Sequence, residues 1–332
     1  MHHVKFGRTG MRVSKLCLGT MTFGTQCDEA TSFDILDTAF DAGITFVDTA
    51  DMYPNGQDGE LAGLTEEIIG RWMAERGNRE NVILASKFWA PMGPNPWNRG
   101  ASRKHVVGAL DASLRRLQTD YLDLFQIHFF DSDTPIDETL RALDDMVRAG
   151  KVRYIGCSNF AAWQLAKAIG RSEALGISRY ESVQPRYNLL FRDIERELLP
   201  LCRHDDVAVM VYNPIAGGLL SGKHQPSTGP TEGTRFTLGS ASKRYQERYW
   251  ADDKFEVVDA IRPLAADAGI SMAQMALGWV LANPDVTVPI VGASSSAQLA
   301  DAVAAEANPL DADLVERLSE LTRHYRAVDA AR

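Results

Sequence analysis

Short apolar runs rich in β-branched and aromatic residues recur along the chain, and they alternate with stretches whose apolar residues are spaced three and four apart. The runs are typical of buried strands, and the spaced stretches indicate amphipathic helices. The predicted strands are residues 16–18, 44–47, 82–84, 121–127, 152–155, 180–183, 207–211 and 286–291. The predicted helices are residues 30–42, 65–74, 103–117, 136–149, 161–168, 195–202, 255–268 with 272–281, and 297–305. Eight strand and helix units in series predict an α/β fold of the (β/α)8 TIM barrel class.

Three segments lie outside this repeating pattern. Residues 4–6 and 11–13 flank a Gly-Arg-Thr-Gly turn and predict an N-terminal β-hairpin that closes the bottom of the barrel. Residues 314–325 predict an extra C-terminal helix. Residues 213–253 are rich in Gly, Ser, Thr and Pro and are interpreted as a loop, whose length in a compact domain indicates a function.

The surplus segments fit the chain length, because 332 residues exceed the roughly 250 residues usual for this barrel. No interdomain linker is visible, so residues 1–332 are interpreted as a single domain. A doubly wound sheet is the alternative. It would normally carry GxGxxG after its first strand, and the sequence has no such motif there.

Charge and cysteine content narrow the function classes. The 35 Lys and Arg against 44 Asp and Glu give a net charge of −9, which argues against nucleic acid or an anionic membrane as a partner and favours a small molecule. The N-terminus lacks the apolar stretch of a secretory signal, and no apolar run reaches about 18 residues, so we expect a cytoplasmic protein. The cysteines lie far apart and form no CxxC, which predicts neither a metal site nor a disulfide framework. They are Cys17, Cys27, Cys157 and Cys202.

Ionisable side chains close three consecutive predicted strands. Asp48, Lys87 and His128 each follow an apolar run, and Tyr53 comes five residues after Asp48. In a barrel the carboxyl ends of the strands form the active site, so we expect these four side chains to meet at one rim.

Each of the four has an ordinary interpretation when taken alone: a helix cap, a surface lysine, a buried polar residue and loop packing. Together they supply an acid, a cation, a carboxylate that holds the cation and a neutral hydrogen-bond donor, a set suited to protonating a developing oxyanion. A free tyrosine titrates near ~10, and we expect the Lys87 cation to lower the pKa of Tyr53.

Longer motifs follow in a fixed order along the chain. They are residues 6–10 with 18–21, 46–50 with Tyr53, 65–70, 86–87, 126–128, 150–160, 184–190, 212–215 and 217–223. Through them the sequence resembles the aldo-keto reductase family over nearly its whole length. The resemblance implies reduction of an aldehyde or ketone to the alcohol, with hydride from NADPH and the proton from Tyr53. It also implies that Lys87 and Asp48 tune Tyr53 and that His128 orients the carbonyl.

The resemblance further implies a set of cofactor-binding residues. Ser158, Asn159 and Gln184 would hold the carboxamide, Tyr212 would stack on the nicotinamide ring, and residues 217–223 would cradle the pyrophosphate. The full set is Ser158, Asn159, Gln184, Tyr212, Asn213, Pro214, Ile215, Gly217, Leu219, Lys223, Arg235, Gly292, Ser294, Gln298 and Asp301.

Residues 217–223 also fit the GxxxxGK pattern of a phosphate-binding loop. A nucleotide hydrolase needs Ser or Thr next for Mg²⁺ and then a helix, whereas this chain has His224 followed by loop-forming residues. A P-loop phosphotransferase is therefore disfavoured.

The adenine end departs from the commonest family pattern. Ser294 stands where many members have an arginine facing the 2′-phosphate, and Ala302 stands where an asparagine often contacts adenine. The subgroup resembling voltage-gated potassium channel β subunits also has serine there and takes its phosphate charge from the long loop, where Lys223 and Arg235 match. A cationic pair suits a doubly charged phosphate, so we expect NADPH, with NADH as the alternative. A solvated loop position remains the alternative for Arg235.

The substrate is less defined by the sequence. Phe23, Trp89 and Phe129 are candidates for an aromatic substrate pocket, together with Trp97 and Tyr53, although core packing accounts for them equally well. The insertion at residues 54–64 is expected to shape the mouth of the site. A second functional hypothesis is a reductase-like regulatory or sensor subunit that binds NADPH with little turnover.

Overall fold

The structure is a computed structural model that describes residues 1–54, 61–238 and 241–326. In these residues eight parallel strands close into a barrel, which confirms the predicted (β/α)8 fold. The described residues contain ten strands, of which β3 to β10 form the barrel. They are β1 (His3–Lys5), β2 (Arg12–Ser14), β3 (Cys17–Gly19), β4 (Phe46–Asp48), β5 (Ile83–Phe88), β6 (Leu122–Ile127), β7 (Val152–Ser158), β8 (Tyr180–Gln184), β9 (Ala208–Val211) and β10 (Val288–Gly292). The barrel order follows the chain from β3 to β10, and β10 pairs with both β9 and β3 to complete the closure.

Helices cover the outside of the barrel. Within the described residues they are α1 (Glu29–Asp41), α2 (Leu64–Arg76), α3 (Arg103–Arg116), α4 (Ile136–Arg148), α5 (Ala162–Leu175), α6 (Leu198–His204), α7 (Ser242–Tyr249), α8 (Asp252–Asp267), α9 (Met272–Ala282), α10 (Leu299–Ala307) and α11 (Ala312–Leu321). Short polar side chains set the start of several of them by accepting a backbone N–H bond of the first turn. These caps are Asp28, Ser102, Ser271 and Asp311.

The predicted N-terminal hairpin is present and reaches the barrel interior. β1 and β2 pair antiparallel, and Phe6 and Val13 are fully buried in the cluster that fills the barrel. The Phe6 ring meets Phe46 edge-on at 5.8 Å between centroids. Gly7 has a φ of +55°, and a Cβ there would lie 2.6 Å from the Asp206 carbonyl oxygen, so the turn depends on glycine.

Two predictions for the C-terminal part of the chain need correction. The segment 213–253 is not a plain loop, because it contains 3₁₀ turns at Ala216–Ser221 and Pro226–Thr228, the helix α7 and the start of α8. In α7 the buried residues at helical spacing are two tyrosines among charged residues, which is a weak sequence signal for a helix. The last helix ends at Leu321 and is followed by a separate 3₁₀ turn at Arg323–Arg326.

No single helix within residues 1–54, 61–238 and 241–326 has the length and apolar character of a membrane span. The pair α8 and α9 meets the criteria only when taken together, and it is bent by 94°.

Candidate active site

The four predicted side chains meet at the carboxyl-terminal rim of the barrel. Asp48 is the last residue of β4, Lys87 lies in β5, and His128 directly follows β6. Tyr53 lies in the turn after β4, where its N–H donates to the Ala50 carbonyl at 3.1 Å. Asp48, Tyr53 and His128 line one cavity, whereas Lys87 is fully buried.

A buried hydrogen-bond network fixes Asp48 and Lys87. The Lys87 ammonium donates to Asp48 Oδ2 and, at 2.8 Å, to the Thr49 carbonyl. Asp48 Oδ1 accepts from Gln126 Nε2 at 3.1 Å and from Gln184 Nε2 at 2.9 Å. Both charges are therefore paired and hydrogen-bonded, as buried charges must be.

Gln126 was not assigned a role from the sequence. It is fully buried and is the Cα partner of Lys87 across β5 and β6. A glutamine between two buried apolar residues near the end of β6 is the signal that identifies it.

The network also determines the charge of Lys87. Burial alone would lower its pKa, but the negative charge of Asp48 and the hydrogen bond to Asp48, with a further electrostatic effect of Tyr53, outweigh that effect and raise it. Lys87 therefore remains a cation at neutral pH.

Lys87 lowers the pKa of Tyr53 as expected, but the net pKa lies above its usual value. Burial of the tyrosine raises its pKa, and the opposing effect of Lys87 does not cancel that rise. The sequence identified the cation but not how completely the phenol is withdrawn from water. Tyr53 consequently keeps its proton throughout the neutral range.

His128 is a neutral imidazole in this setting. Burial, followed by the charges of Lys87 and Arg244, holds its pKa well below 6.5. Its ring stacks on Phe129 with 5.1 Å between centroids, and the Tyr53 ring meets it edge-on at 5.9 Å. A neutral imidazole beside the phenol can donate a hydrogen bond without competing for the proton.

Seven of the predicted cofactor residues line the same cavity. Three of them, Asn213, Arg235 and Gly292, also border a second cavity, and the other four are Ser158, Asn159, Gln184 and Tyr212. Their polar groups are already bonded to one another and to the barrel. Asn159 Nδ2 donates to the His128 carbonyl at 3.0 Å, and Asn159 Oδ1 accepts from the Tyr212 hydroxyl at 2.8 Å. The Gln184 Nε2 group already donates to Asp48. A carboxamide bound here must therefore replace one of these hydrogen bonds or donate to the side-chain oxygen of Gln184.

A second cavity of about 360 Å³ adjoins the first through shared residues. The predicted residues that line it are Asn213, Pro214, Ile215, Gly217, Lys223, Arg235, Gly292, Ser294, Gln298 and Asp301. Leu219 does not line it, because its side chain is fully buried in the core.

The chemistry of the second cavity fits a phosphate-bearing dinucleotide. Across the described residues, no carboxylate oxygen lies within 4.0 Å of the charged nitrogens of Lys223 or Arg235. Asn213 borders both cavities, and its buried Nδ2 has no hydrogen-bond partner among the residues that the structure describes. Unpaired cations and an unsatisfied amide donor are the groups that anionic oxygens of a ligand would satisfy.

The predicted aromatic substrate residues separate in the structure. Phe129 lines the first cavity, and Trp89 packs on Phe129 with 5.1 Å between ring centroids. Phe23 is fully buried in the core between barrel and helices, so the structure does not bring it to the cavity. Trp97 is 51 % exposed. Of the insertion at 54–64, residues 55–60 lie outside the described residues.

Helix α7 contributes residues that were not predicted from the sequence. Arg244, Tyr245 and Arg248 line the first cavity. Their spacing of three and four residues places them on adjoining faces of one helix. Tyr245 and Tyr249 at a spacing of four, both buried, are the signal that could have identified this helix.

Comparison with known proteins places these features in a wider group. Residues 15–323 match the aldo/keto reductase family. The chain is 42% identical to the oxidoreductase YrpG of Bacillus subtilis over 97% of this chain and 96% of that protein. It is 35% identical to a probable voltage-gated potassium channel subunit beta of Arabidopsis thaliana, over 90% and 89% of the two chains. Versiconal hemiacetal acetate reductase of Aspergillus parasiticus is 33% identical over 96% of both.

Proposed function

Because this chain belongs to the aldo/keto reductase family, whose members are oxidoreductases that generally use NAD(P)H, we propose that it reduces a small aldehyde or ketone with NADPH. The overall reaction is carbonyl + NADPH + H⁺ → alcohol + NADP⁺. The observation that carries the proposal is Tyr53 at the cavity, beside the buried Lys87–Asp48 pair and a neutral His128.

The side chains of the cavity divide the work of this reaction. When bound, the reduced nicotinamide supplies the hydride to the carbonyl carbon. Tyr53 then donates its proton to the carbonyl oxygen, which is far more basic as an alkoxide than tyrosinate is. His128 donates a hydrogen bond that holds this oxygen against Tyr53. Lys87, fixed by Asp48, offsets the negative charge that develops on the Tyr53 oxygen.

The residues of the second cavity support NADPH as the cofactor. Lys223 and Arg235 are proposed to bind its 2′-phosphate together with the Ser294 hydroxyl, while Tyr212 lies at the nicotinamide end. The four cysteines are free and buried, which suits a reducing compartment, and the proposal therefore includes a cytoplasmic location.

A regulatory or sensor role is the second candidate, favoured by the similarity to a potassium channel subunit beta. The complete set of Asp48, Tyr53, Lys87 and His128 favours turnover instead.

Loss of NADPH absorbance with a panel of aldehydes, ketones and keto sugars tests the enzyme proposal, with Tyr53→Phe as the matched control. We expect repeated turnovers by the wild type and almost none by the variant. NADPH binding with at most one turnover per chain would favour the sensor.

A further inference from the structure

Two arginines of helix α7 lie over the first cavity. Arg244 and Arg248 both line it, and their spacing of four residues places them on one face of the helix. The helix is held in place by its tyrosines: the Tyr245 hydroxyl donates to Asn213 Oδ1 at 3.2 Å, and the Tyr249 hydroxyl accepts from Asn188 Nδ2 at 3.1 Å. The two guanidinium groups are therefore carried by an anchored element.

The positive charge of this pair is not balanced by neighbouring carboxylates. In the described part of the chain, no carboxylate oxygen lies within 4.0 Å of the guanidinium nitrogens of Arg244 or Arg248. Among the described residues that line this cavity, Asp48 is the only acidic one, and it already accepts from Lys87, Gln126 and Gln184. Lys243 of the same helix, by contrast, has an acidic partner, with 3.9 Å between its Nζ and Glu247 Oε1.

This local charge contrasts with the whole chain, whose net charge is −9. A cavity lined by cations on a negatively charged protein concentrates anions in that cavity rather than over the whole surface. An anion bound there would also remove the electrostatic repulsion between the two neighbouring arginines.

The arginines lie toward the end of the cavity that holds the reacting side chains. The charge of Arg244 acts on the His128 ring and contributes to its low pKa. Burial raises the pKa of Tyr212, and Arg248 opposes that rise through its charge and a hydrogen bond to the hydroxyl. Arg235 lines both cavities: its Nη1 lies 3.5 Å from Met21 Sδ, and its guanidinium carbon lies 5.9 Å from the centre of the Tyr245 ring. Among the described residues, Arg244 and Arg248 are therefore the arginines that line the first cavity without lining the second.

We infer that the carbonyl substrate carries a carboxylate, and that Arg244 and Arg248 bind this group while the carbonyl meets Tyr53 and His128. The inference rests on the proposed function, whose substrate class it narrows. Guanidinium groups match carboxylates with parallel hydrogen bonds, so the pair both selects the substrate and sets its orientation.

A matched pair of aldehydes tests the inference. 4-Carboxybenzaldehyde and methyl 4-formylbenzoate have similar size, but only the first is charged. The ester activates its aldehyde more than the carboxylate does, so a preference for the acid must come from binding. We expect the wild type to favour the acid in kcat/KM by about ten- to a hundredfold, the scale of charge-assisted hydrogen bonds. Arg244→Gln and Arg248→Gln should each remove most of that preference by raising KM for the acid, with little change for the ester.

Lys243→Gln is the control, because it removes one positive charge from the same helix without removing a residue that lines the cavity. It should retain the preference for the acid. Equal kcat/KM values for the two aldehydes in the wild type would overturn the inference and leave the proposed reduction intact. An equal loss of preference in the Lys243 variant would also overturn it, since the effect would then be one of general charge.

Binding without turnover separates this inference from the proposed reaction. Benzoate and benzamide are titrated against the NADP⁺ complex, and benzoate should bind more tightly in the wild type but not in Arg244→Gln. That result would support the anion site even if neither aldehyde were reduced. If instead the arginine variants weaken NADPH binding and leave the difference between benzoate and benzamide unchanged, the arginines serve the cofactor phosphates and the inference fails.

Discussion

The ammonium nitrogen of Lys87 lies 5.1 Å from the centre of the Tyr53 ring, and both side chains are withdrawn from solvent. Burial raises the pKa of the phenol, and the lysine limits that rise. A tyrosine in this state keeps its proton until a strongly basic alkoxide forms beside it. The arrangement therefore favours proton donation at the moment of hydride transfer and disfavours loss of the proton beforehand.

Tyr53→Phe tests the proton donor. The change removes one hydroxyl and preserves the ring that packs against His128. We expect carbonyl reduction to fall by about 10²- to 10⁴-fold, the scale of a positioned general acid, with little change in the Kd of NADPH. Steady-state kinetics and fluorescence titration measure the two quantities. Turnover near the wild-type rate would exclude Tyr53 from the mechanism.

Lys87→Met tests the influence of the cation on the tyrosine. Because the Lys87 charge favours tyrosinate, its removal should raise the pKa of Tyr53 further. The rate of reduction should fall, and the alkaline limb of the pH profile should move to higher pH. Lys87→Arg, which keeps the charge, is the control for the direction of the shift. An unchanged rate and pH profile in the methionine variant would contradict the tuning role.

The same substitution should have a cost in stability, because it leaves Asp48 as an uncompensated buried charge. Breaking a buried pair on one side typically costs about 3–5 kcal/mol, whereas removing both charges is much milder. Urea denaturation should therefore show Lys87→Met to be less stable than the double variant Asp48→Asn/Lys87→Met. The opposite order would mean that Asp48 is not held chiefly by the lysine.

His128 should affect how stability depends on pH. Its pKa lies well below 6.5, so as the pH falls below about 6.5 the unfolded chain binds a proton that the native protein does not. The free energy of unfolding then decreases on acidification, by up to about 1.4 kcal/mol per pH unit from this residue. His128→Gln should lose less stability than the wild type between pH 7 and 5.5 and should raise KM for the carbonyl substrate. Parallel losses in the two proteins would show that His128 is not the group responsible.

The barrel and the meeting of its ionisable side chains at one rim were predictable from local pattern. Asp48, Lys87 and His128 close or follow parallel strands, and the register of a closed barrel brings such positions together without further information. The core position of Phe23 was not predictable in this way. A side chain just past a strand end can face the cavity or the helices, and only packing decides between them.

Neither helix α7 nor the net direction of the Tyr53 pKa shift was predictable from the sequence, and the reason is related. The helix has few apolar residues, since its buried face consists of Tyr245 and Tyr249, so periodicity alone did not reveal it. The pKa of Tyr53 depends on how many atoms surround the phenol, which a linear sequence does not state. Both features come from tertiary packing rather than from local preference.

Lys223 and Arg235 line the second cavity with Ser294, and we propose that cofactor choice depends on them. A 2′-phosphate carries close to two negative charges, and these two cations are the groups proposed to bind it. Replacing both with alanine should weaken NADPH binding by a few kcal/mol, on the scale of hydrogen bonds to charged groups, and leave NADH almost unaffected. Cofactor fluorescence titrations of the wild type and the double variant measure this difference, and added salt should weakly reproduce it because exposed charges are screened. Lys243→Ala, which removes one positive charge from a residue that lines neither cavity, is the control for a general effect of charge. Equal losses for NADPH and NADH would assign the pair to the pyrophosphate or to the loop itself, and a wild-type preference for NADH would show that Ser294, in place of an arginine, determines the specificity.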